Sequence, residues 1–86
     1  MATKTIRGVL AAFDPGDVVL RLRAGVSIAA NATIGSGTVG TVCRVVNPGR
    51  SYMVRYVDVP LCVLAFQSSL ERAPRGTEGP ECEADC

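Results

Sequence analysis

This chain of 86 residues contains no histidine and no tryptophan, and it has only two tyrosines and two phenylalanines. The missing histidine removes the side chain that most often serves as a general base and as a metal ligand. It also excludes every nucleophilic pair of serine or cysteine with histidine. With four aromatic rings, a stacking surface for nucleic-acid bases has little to build on. The composition therefore favours a binding or structural role over a catalytic one, and we expect no cofactor and assign no catalytic residue.

Long apolar runs are also missing. Residues 8–13 form an apolar stretch that is shorter than the core of about 7–15 residues in a secretion signal. No run approaches the ~20 apolar residues of a membrane-spanning helix. We therefore expect a cytoplasmic protein without a membrane partner. A single domain of this length buries only about 60% of its unfolded surface, so its core is thin.

Basic residues are absent from the C-terminal end. Residues 1–75 hold nine Lys and Arg against four Asp and Glu, a net charge of +5, whereas residues 76–86 hold four acidic residues and no basic one. A basic body suits an anionic partner, although charged strand faces more often serve solubility. A lesser alternative is nucleic-acid binding on a small stacking platform. The candidate residues for binding a ligand or partner are Arg21, Arg23, Tyr52, Arg55 and Tyr56.

The four cysteines have an irregular spacing. Cys43 and Cys62 lie within apolar strand patterns, where cysteine is typically a small buried residue with an unreactive thiol. Cys82 and Cys86 lie in the acidic tail, and 18, 19 and 3 residues separate the four. Four-cysteine zinc sites use two close pairs, so we expect no metal site. A reducing cytoplasm disfavours stable disulfides, which leaves a Cys82–Cys86 or intermolecular bridge on air oxidation as the alternative.

The most informative segment is a predicted β-hairpin. Residues 37–46 and 51–58 are rich in β-branched and aromatic residues, and the Asn-Pro-Gly-Arg sequence at 47–50 is typical of a tight turn. Alternation along the second strand places Tyr52, Val54 and Tyr56 on one face. These features predict two long antiparallel strands at the centre of the fold.

Shorter elements flank the hairpin. Residues 13–17 form a predicted turn in which Asp14 and Asp17 cap backbone N–H groups, rather than a catalytic carboxylate pair. Residues 18–23 alternate as a strand, residues 24–37 form a long loop that is more apolar than most, and residues 67–69 form a single helical turn. The predicted interior consists of Val19, Leu20, Leu22, Val39, Val42, Val54, Leu64 and Leu70.

The last strand pattern, 61–66, is apolar at every position. A small barrel has room inside for alternate side chains only, so the others would face water in a monomer. Pairing across a two-fold axis removes such a patch, and we therefore expect a homo-oligomer. The candidate interface residues are Leu61, Val63, Leu64 and Phe66.

These elements predict an all-β protein. Five short strands, a long first loop and a helical turn before the last strand are the layout of a five-stranded SH3-like barrel. The expected organisation is an N-terminal arm or edge strand at 1–12, the barrel at 13–73, and a disordered or loosely attached acidic tail at 74–86.

The barrel segment resembles the type II dihydrofolate reductases carried on plasmids and integrons. The shared framework reads Phe13-x-x-Gly16-Asp17-x-Val19, Val39-Gly40-x-x-Cys43, Pro48, Tyr52-x-Val54 and Leu70-Glu71-Arg72. Weaker similarity extends to the barrels of nitrogen-fixation accessory proteins and of the nitrile hydratase β-subunit. The reductase resemblance implies a pore enzyme or ligand binder built from several copies of the barrel.

The chain departs from that family at the segment that carries its chemistry. The reductases have a Val-Gln-Ile-Tyr sequence where this chain has Cys62-Val63-Leu64-Ala65. Val63 and Ala65 lack the amide and phenol groups that a pterin would need, and each unpaired polar group costs about 1–3 kcal/mol. The favoured hypothesis is therefore a non-catalytic binding or assembly module that acts as an oligomeric accessory protein, with an unknown protein or anionic partner. A reductase-like pore with a rebuilt site is the alternative.

Overall fold

The computed structural model describes residues 13–27, 31–82 and 86, and it describes the strand pairing of residues 5–6 and 9–10. Its elements are β1 (Thr5–Ile6), β2 (Val9–Leu10), β3 (Val18–Arg21), β4 (Gly25–Ser27), β5 (Ala32–Ile34), β6 (Val39–Asn47), β7 (Ser51–Tyr56), β8 (Cys62–Phe66), a 3-10 turn (Gln67–Ser69) and β9 (Leu70–Arg72). The protein is all-β, as the strand patterns predicted. Within the described ranges no helix has the length and apolar character that crossing a membrane requires.

The principal structure is a five-stranded antiparallel sheet with the strand order β8-β7-β6-β3-β9. The strands β8 and β9 occupy its two edges, and the 3-10 turn connects them along the chain. Two small sheets accompany it: β1 pairs with β2, and β4 pairs with β5. The other residues of the predicted N-terminal arm, and Ile28 in the long loop, lie outside the described residues.

The hairpin of β6 and β7 forms where the sequence predicted it. The backbone N–H of Arg50 donates to the carbonyl of Asn47 at 2.9 Å, and Gly49 has a φ of +76° that glycine adopts without steric cost. Val42 pairs with Val54 and Arg44 pairs with the adjacent residue of β7, Met53. Cys43 therefore has no partner in the register and is the extra residue of a β-bulge. Such a bulge twists the strand and redirects its side chains.

The core lies on one face of this sheet, which we call the inner face. The opposite one is the outer face. The buried apolar residues are Phe13, Val19, Ile34, Val42, Tyr52, Val54, Tyr56, Val59, Ala65 and Leu70. The predicted shared face of Tyr52, Val54 and Tyr56 is confirmed, since all three are completely buried.

Of the eight residues predicted to form the interior, four are buried, two are half-buried, and the prediction is wrong for the other two. Leu22 and Leu64 are 44% and 48% exposed, and Leu20 and Val39 are half-buried. The cause is strand phase. Val19 is paired with Gly40, and a methyl group added to Gly40 would lie 2.7 Å from Val54 Cγ1, so both residues face the core. The leucines that alternate with Val19 consequently face away.

The predicted long loop at 24–37 contains the hairpin of β4 and β5. Ile34 of β5 is buried in the core, so this part of the loop packs against the sheet. Val26 of β4 is 74% exposed. The loop therefore contributes one side chain to the core and presents another to solvent.

The acidic tail crosses the outer face of the sheet, which corrects the prediction that it is disordered or loosely attached. After β9 it passes over Val18 and Thr41, where a methyl group added to Gly79 would overlap Thr41 Oγ1. Disulfide bonds then join Cys82 to Cys43 of β6 and Cys86 to Cys62 of β8. Low apolar content suggested a mobile tail, but two covalent bonds fix it.

Candidate functional site

Large apolar side chains are exposed at β8, at Leu64 and Phe66 on its outer face and at Leu61 just before the strand. Leu61, Leu64 and Phe66 are exposed, with Phe66 reaching 59%. Their neighbours Val63 and Ala65 point the other way: Ala65 is buried in the core and Val63 packs against it. The alternation follows from the pairing of Val63 with Val54, which places both on the inner face. We call Leu61, Leu64 and Phe66 the β8 patch.

Three of the four candidate interface residues are therefore exposed and the fourth is not. Val63, predicted to face outward, belongs to the inner face. Within the described chain β8 pairs with β7 only, so its other edge has no strand beside it. An unpaired edge carries a row of backbone donors and acceptors that a further strand can use.

The two tyrosines proposed as binding residues are structural. Tyr52 and Tyr56 have no exposed surface, so neither ring can stack on a ligand. The Tyr52 hydroxyl donates to Gln67 Oε1 at 2.6 Å, and its ring meets Phe13 edge-on with centroids 5.4 Å apart. These contacts anchor the 3-10 turn to the core.

Arg21 is held by the protein's own groups. Its guanidinium donates to the Tyr56 hydroxyl at 3.2 Å and to the carbonyl of Arg23 at 2.7 Å, and it lies 6.0 Å from the centre of the Tyr56 ring. Burial raises the pKa of Tyr56, and the neighbouring Arg21 partly offsets that shift. Burial thus keeps the phenol neutral, and the contact holds the half-buried Arg21 guanidinium at the end of β3.

The remaining candidate cations are not brought together. Arg23 is exposed beyond the end of β3. Arg55 belongs to the outer face, in register with Thr41 of β6 and Cys62 of β8, and it donates to the carbonyl of Pro60 at 3.2 Å. Because Arg21 and Arg55 lie on opposite sides of the sheet, the predicted binding set does not form one site.

Asp14 and Asp17 form the predicted turn. The Asp14 backbone N–H donates to Asp17 Oδ2 at 2.9 Å, and the Asp17 N–H donates to the Asp14 carbonyl at 3.0 Å. Asp17 also pairs with Arg72 at 3.2 Å, and that guanidinium covers the Phe13 ring at 5.6 Å. The pair closes the loop that precedes β3, which leaves it structural.

Two open grooves flank the sheet. One of about 770 Å³ lies between the β6–β7 turn and the 3-10 turn, with Phe13, Arg50 and Phe66 among its walls. The other, of about 400 Å³, lies between β5 and the loop at 57–59, with Ile34 and Asp58 in its lining. Each lining includes one charged side chain, and neither pairs a nucleophile with a base.

The cysteines are the residues whose arrangement the sequence did not reveal. The expected unreactive thiols of Cys43 and Cys62 and the alternative Cys82–Cys86 or intermolecular bridge are both wrong, because the four cysteines form two adjacent disulfides with Cα atoms 5.6 Å and 5.5 Å apart. The sulfur atoms of Cys43, Cys62 and Cys86 all lie within 4.8 Å of one another. Two features of the sequence could have indicated disulfides. The number of cysteines is even, and Cys43 directly follows the core residue Val42, so alternation places Cys43 on the outer face.

Comparison with known proteins leaves the chain without a match. No family model, no curated protein and no solved structure is similar to it at a significant level.

Proposed function

We propose that this chain is a non-catalytic binding or assembly module with an SH3-like fold, which associates with copies of itself through the β8 patch as an oligomeric accessory protein. The observation that carries the proposal is the exposed β8 patch on an edge strand. The strand order, with β9 beside β3 and a 3-10 turn before β9, supports the SH3-like assignment.

A second copy of the chain is the occupant that fits this edge best. Two identical edges pair antiparallel across a two-fold axis, which continues the sheet and satisfies both rows of backbone groups. Soluble proteins commonly protect such edges with charged residues, yet residues 61–66 carry no charge. Pairing β8 with its copy would bring Leu64 and Phe66 of both chains together.

The test is the mass of the protein in solution by light scattering. We expect a dimer or tetramer for the wild-type chain, and a monomer for Leu64→Arg and Phe66→Arg, because an arginine in the patch would be buried without a partner. Val26→Arg is the control, since it changes an exposed apolar residue outside the patch, one that is 74% exposed. A wild-type protein that stays monomeric at high micromolar concentration would remove the proposal.

The reductase-like pore enzyme remains the second candidate, on the strength of the sequence resemblance. The observations oppose it at the residues that would line a pore. Val63 and Ala65 face the core, and Cys62 is bonded to Cys86. We expect no reduction of dihydrofolate by a nicotinamide cofactor, and turnover above the buffer blank would reverse the ranking.

Nucleic-acid binding ranks below both. The stacking platform it required consisted of Tyr52 and Tyr56, which are buried. An anionic partner has less support than a second copy, because the candidate cations Arg21 and Arg55 lie on opposite faces of the sheet. We propose the cytoplasm as the location, where the two disulfides would be reduced to four thiols.

A further inference from the structure

The four cysteines come from three separate parts of the chain and meet at one point of the outer face. Cys43 is the bulge residue of β6, Cys62 begins β8, and Cys82 and Cys86 belong to the tail. Three of the sulfur atoms lie within 4.8 Å of one another, and the fourth, that of Cys82, is bonded to Cys43. Two structural disulfides have no need to be neighbours, so this convergence requires an explanation of its own.

The arrangement is close to that of a tetrahedral metal site. Zinc binds thiolate sulfur at about 2.3 Å, which places the sulfur atoms of a tetrahedron about 3.8 Å apart. The observed limit of 4.8 Å for three of the sulfur atoms differs from this by about 1 Å. The tail pair has three intervening residues, within the usual spacing of two to four for a pair of zinc ligands.

We propose that the reduced chain binds one Zn²⁺ ion through the thiolates of Cys43, Cys62, Cys82 and Cys86. The four thiols release four protons as they coordinate, and the complex carries a net charge of −2. Four thiolates complete a tetrahedral coordination shell, which is typical of a structural rather than a catalytic zinc site. The proposal does not depend on self-association or on any activity of the chain.

The sheet supplies a counter-charge for this site. Arg55 of β7 is the registered neighbour of Cys62 and also of Thr41, two residues before Cys43. It therefore projects from the strand that lies between the two cysteine-bearing strands. A guanidinium in this position favours thiolate over thiol and offsets part of the charge of the complex. The tail contributes acidic residues, so the sheet, with Arg55 on β7, is the source of this counter-charge.

Zinc binding and the two disulfides exclude each other, because zinc binds thiolate sulfur and a disulfide contains no thiolate. A diazene oxidant such as diamide would convert the bound form: two oxidant molecules accept four electrons from the thiolates and four protons from the solvent, and become two hydrazines. Two disulfide bonds then form between the four sulfur atoms, and Zn²⁺ is released. The structure with two disulfides is thus the oxidised, metal-free state of the same cluster.

The experiment uses the full chain. The protein is reduced with a phosphine under exclusion of oxygen, and the reductant is then removed. The reduced protein is titrated first with Co²⁺ and then with Zn²⁺. We expect one equivalent of Co²⁺ to give the intense charge-transfer and d–d bands of tetrahedral thiolate coordination. One equivalent of Zn²⁺ should remove these bands, and diamide should release the zinc to a colorimetric chelator. The unreduced protein is the control and should give no thiolate–cobalt bands.

Variants locate the site. Cys86→Ser should weaken Co²⁺ binding at least tenfold and change its spectrum, whereas Glu78→Gln, a change in the same tail without a ligand atom in the cluster, should leave both unaltered. If the reduced chain unfolds, Zn²⁺ must restore its circular dichroism. Absence of tetrahedral cobalt bands, the weak spectrum of oxygen coordination, or unchanged binding by Cys86→Ser would each overturn the proposal.

Discussion

The two faces of the five-stranded sheet are stabilised in different ways. On the inner face, the rings of Tyr52 and Tyr56 and the side chain of Val54 are completely buried, and both tyrosine hydroxyls have hydrogen-bond partners. On the outer face, the acidic tail covers part of β6, and Thr41 Oγ1 is buried without a partner among the described residues. The inner face is a conventional apolar core, and the outer face is a surface covered by a covalently attached segment.

The difference concerns the origin of stability. Burial of apolar area stabilises the inner face by roughly 25 cal/mol for each square ångström removed from water. The outer face owes its cover to disulfides that join residues 39 and 24 positions apart, which restrict the unfolded chain. Changing the inner face should therefore abolish folding, whereas removing one disulfide from the outer face should loosen the tail and leave the sheet.

The largest effect is expected for Val54→Asp on the inner face. It places an unpaired carboxylate among completely buried residues, and we expect a loss of more than about 4 kcal/mol, enough to unfold a thin core. Leu22→Asp, just after β3 and outside the β8 patch, is the control and should stay folded, because that position is 44% exposed. Circular dichroism and thermal melting measure both. A Val54→Asp protein that melts like the wild type would contradict the assignment of the faces.

A smaller effect is expected for Cys82→Ser, which opens the loop closed between Cys43 and Cys82. Chain-entropy arguments give a loss of about 3–4 kcal/mol for a loop of this length. The inner face should keep its structure, so near-ultraviolet circular dichroism of the buried tyrosines should persist while proteases gain access to the tail. Denaturant unfolding of the oxidised variant and wild type measures the loss. If the near-ultraviolet signal of the tyrosines were lost when the tail becomes accessible to proteases, the two faces would not be independent.

The smallest effect tests the hydroxyl beneath the tail. Thr41→Val replaces a buried oxygen that has no partner in the described structure by a methyl group of similar size, and we expect a gain of about 1 kcal/mol. Thr38→Val should have the opposite sign, since the Thr38 hydroxyl donates to the Gly35 carbonyl at 2.7 Å. Free energies of unfolding compare the pair. Destabilisation by both substitutions would show that Thr41 makes a hydrogen bond.

Local sequence patterns predicted the parts of the fold that have a clear turn sequence or a clear alternation of side chains along a strand. The β6–β7 hairpin, the turn at Asp14 and Asp17, and the common face of Tyr52 and Tyr56 follow from turn chemistry and from alternation. The phases of β3 and β8 did not follow, because both strands carry apolar residues on both faces. In β8 the pairing of Val63 with the buried Val54 decides which side chains face the core. The local sequence of a strand does not show which residues of its neighbour it pairs with.

The sequence by itself determined an all-β chain, its central hairpin, and the separation of charge between body and tail. It also placed four cysteines at spacings that suggested no common site. Only the tertiary structure decided that they meet. The sheet sets Cys43 and Cys62 on one face, on either side of β7, and the tail crosses that face to reach both. Patterns of two to four residues encode local structure, whereas contacts over 24 and 39 residues depend on how the strands and the tail assemble.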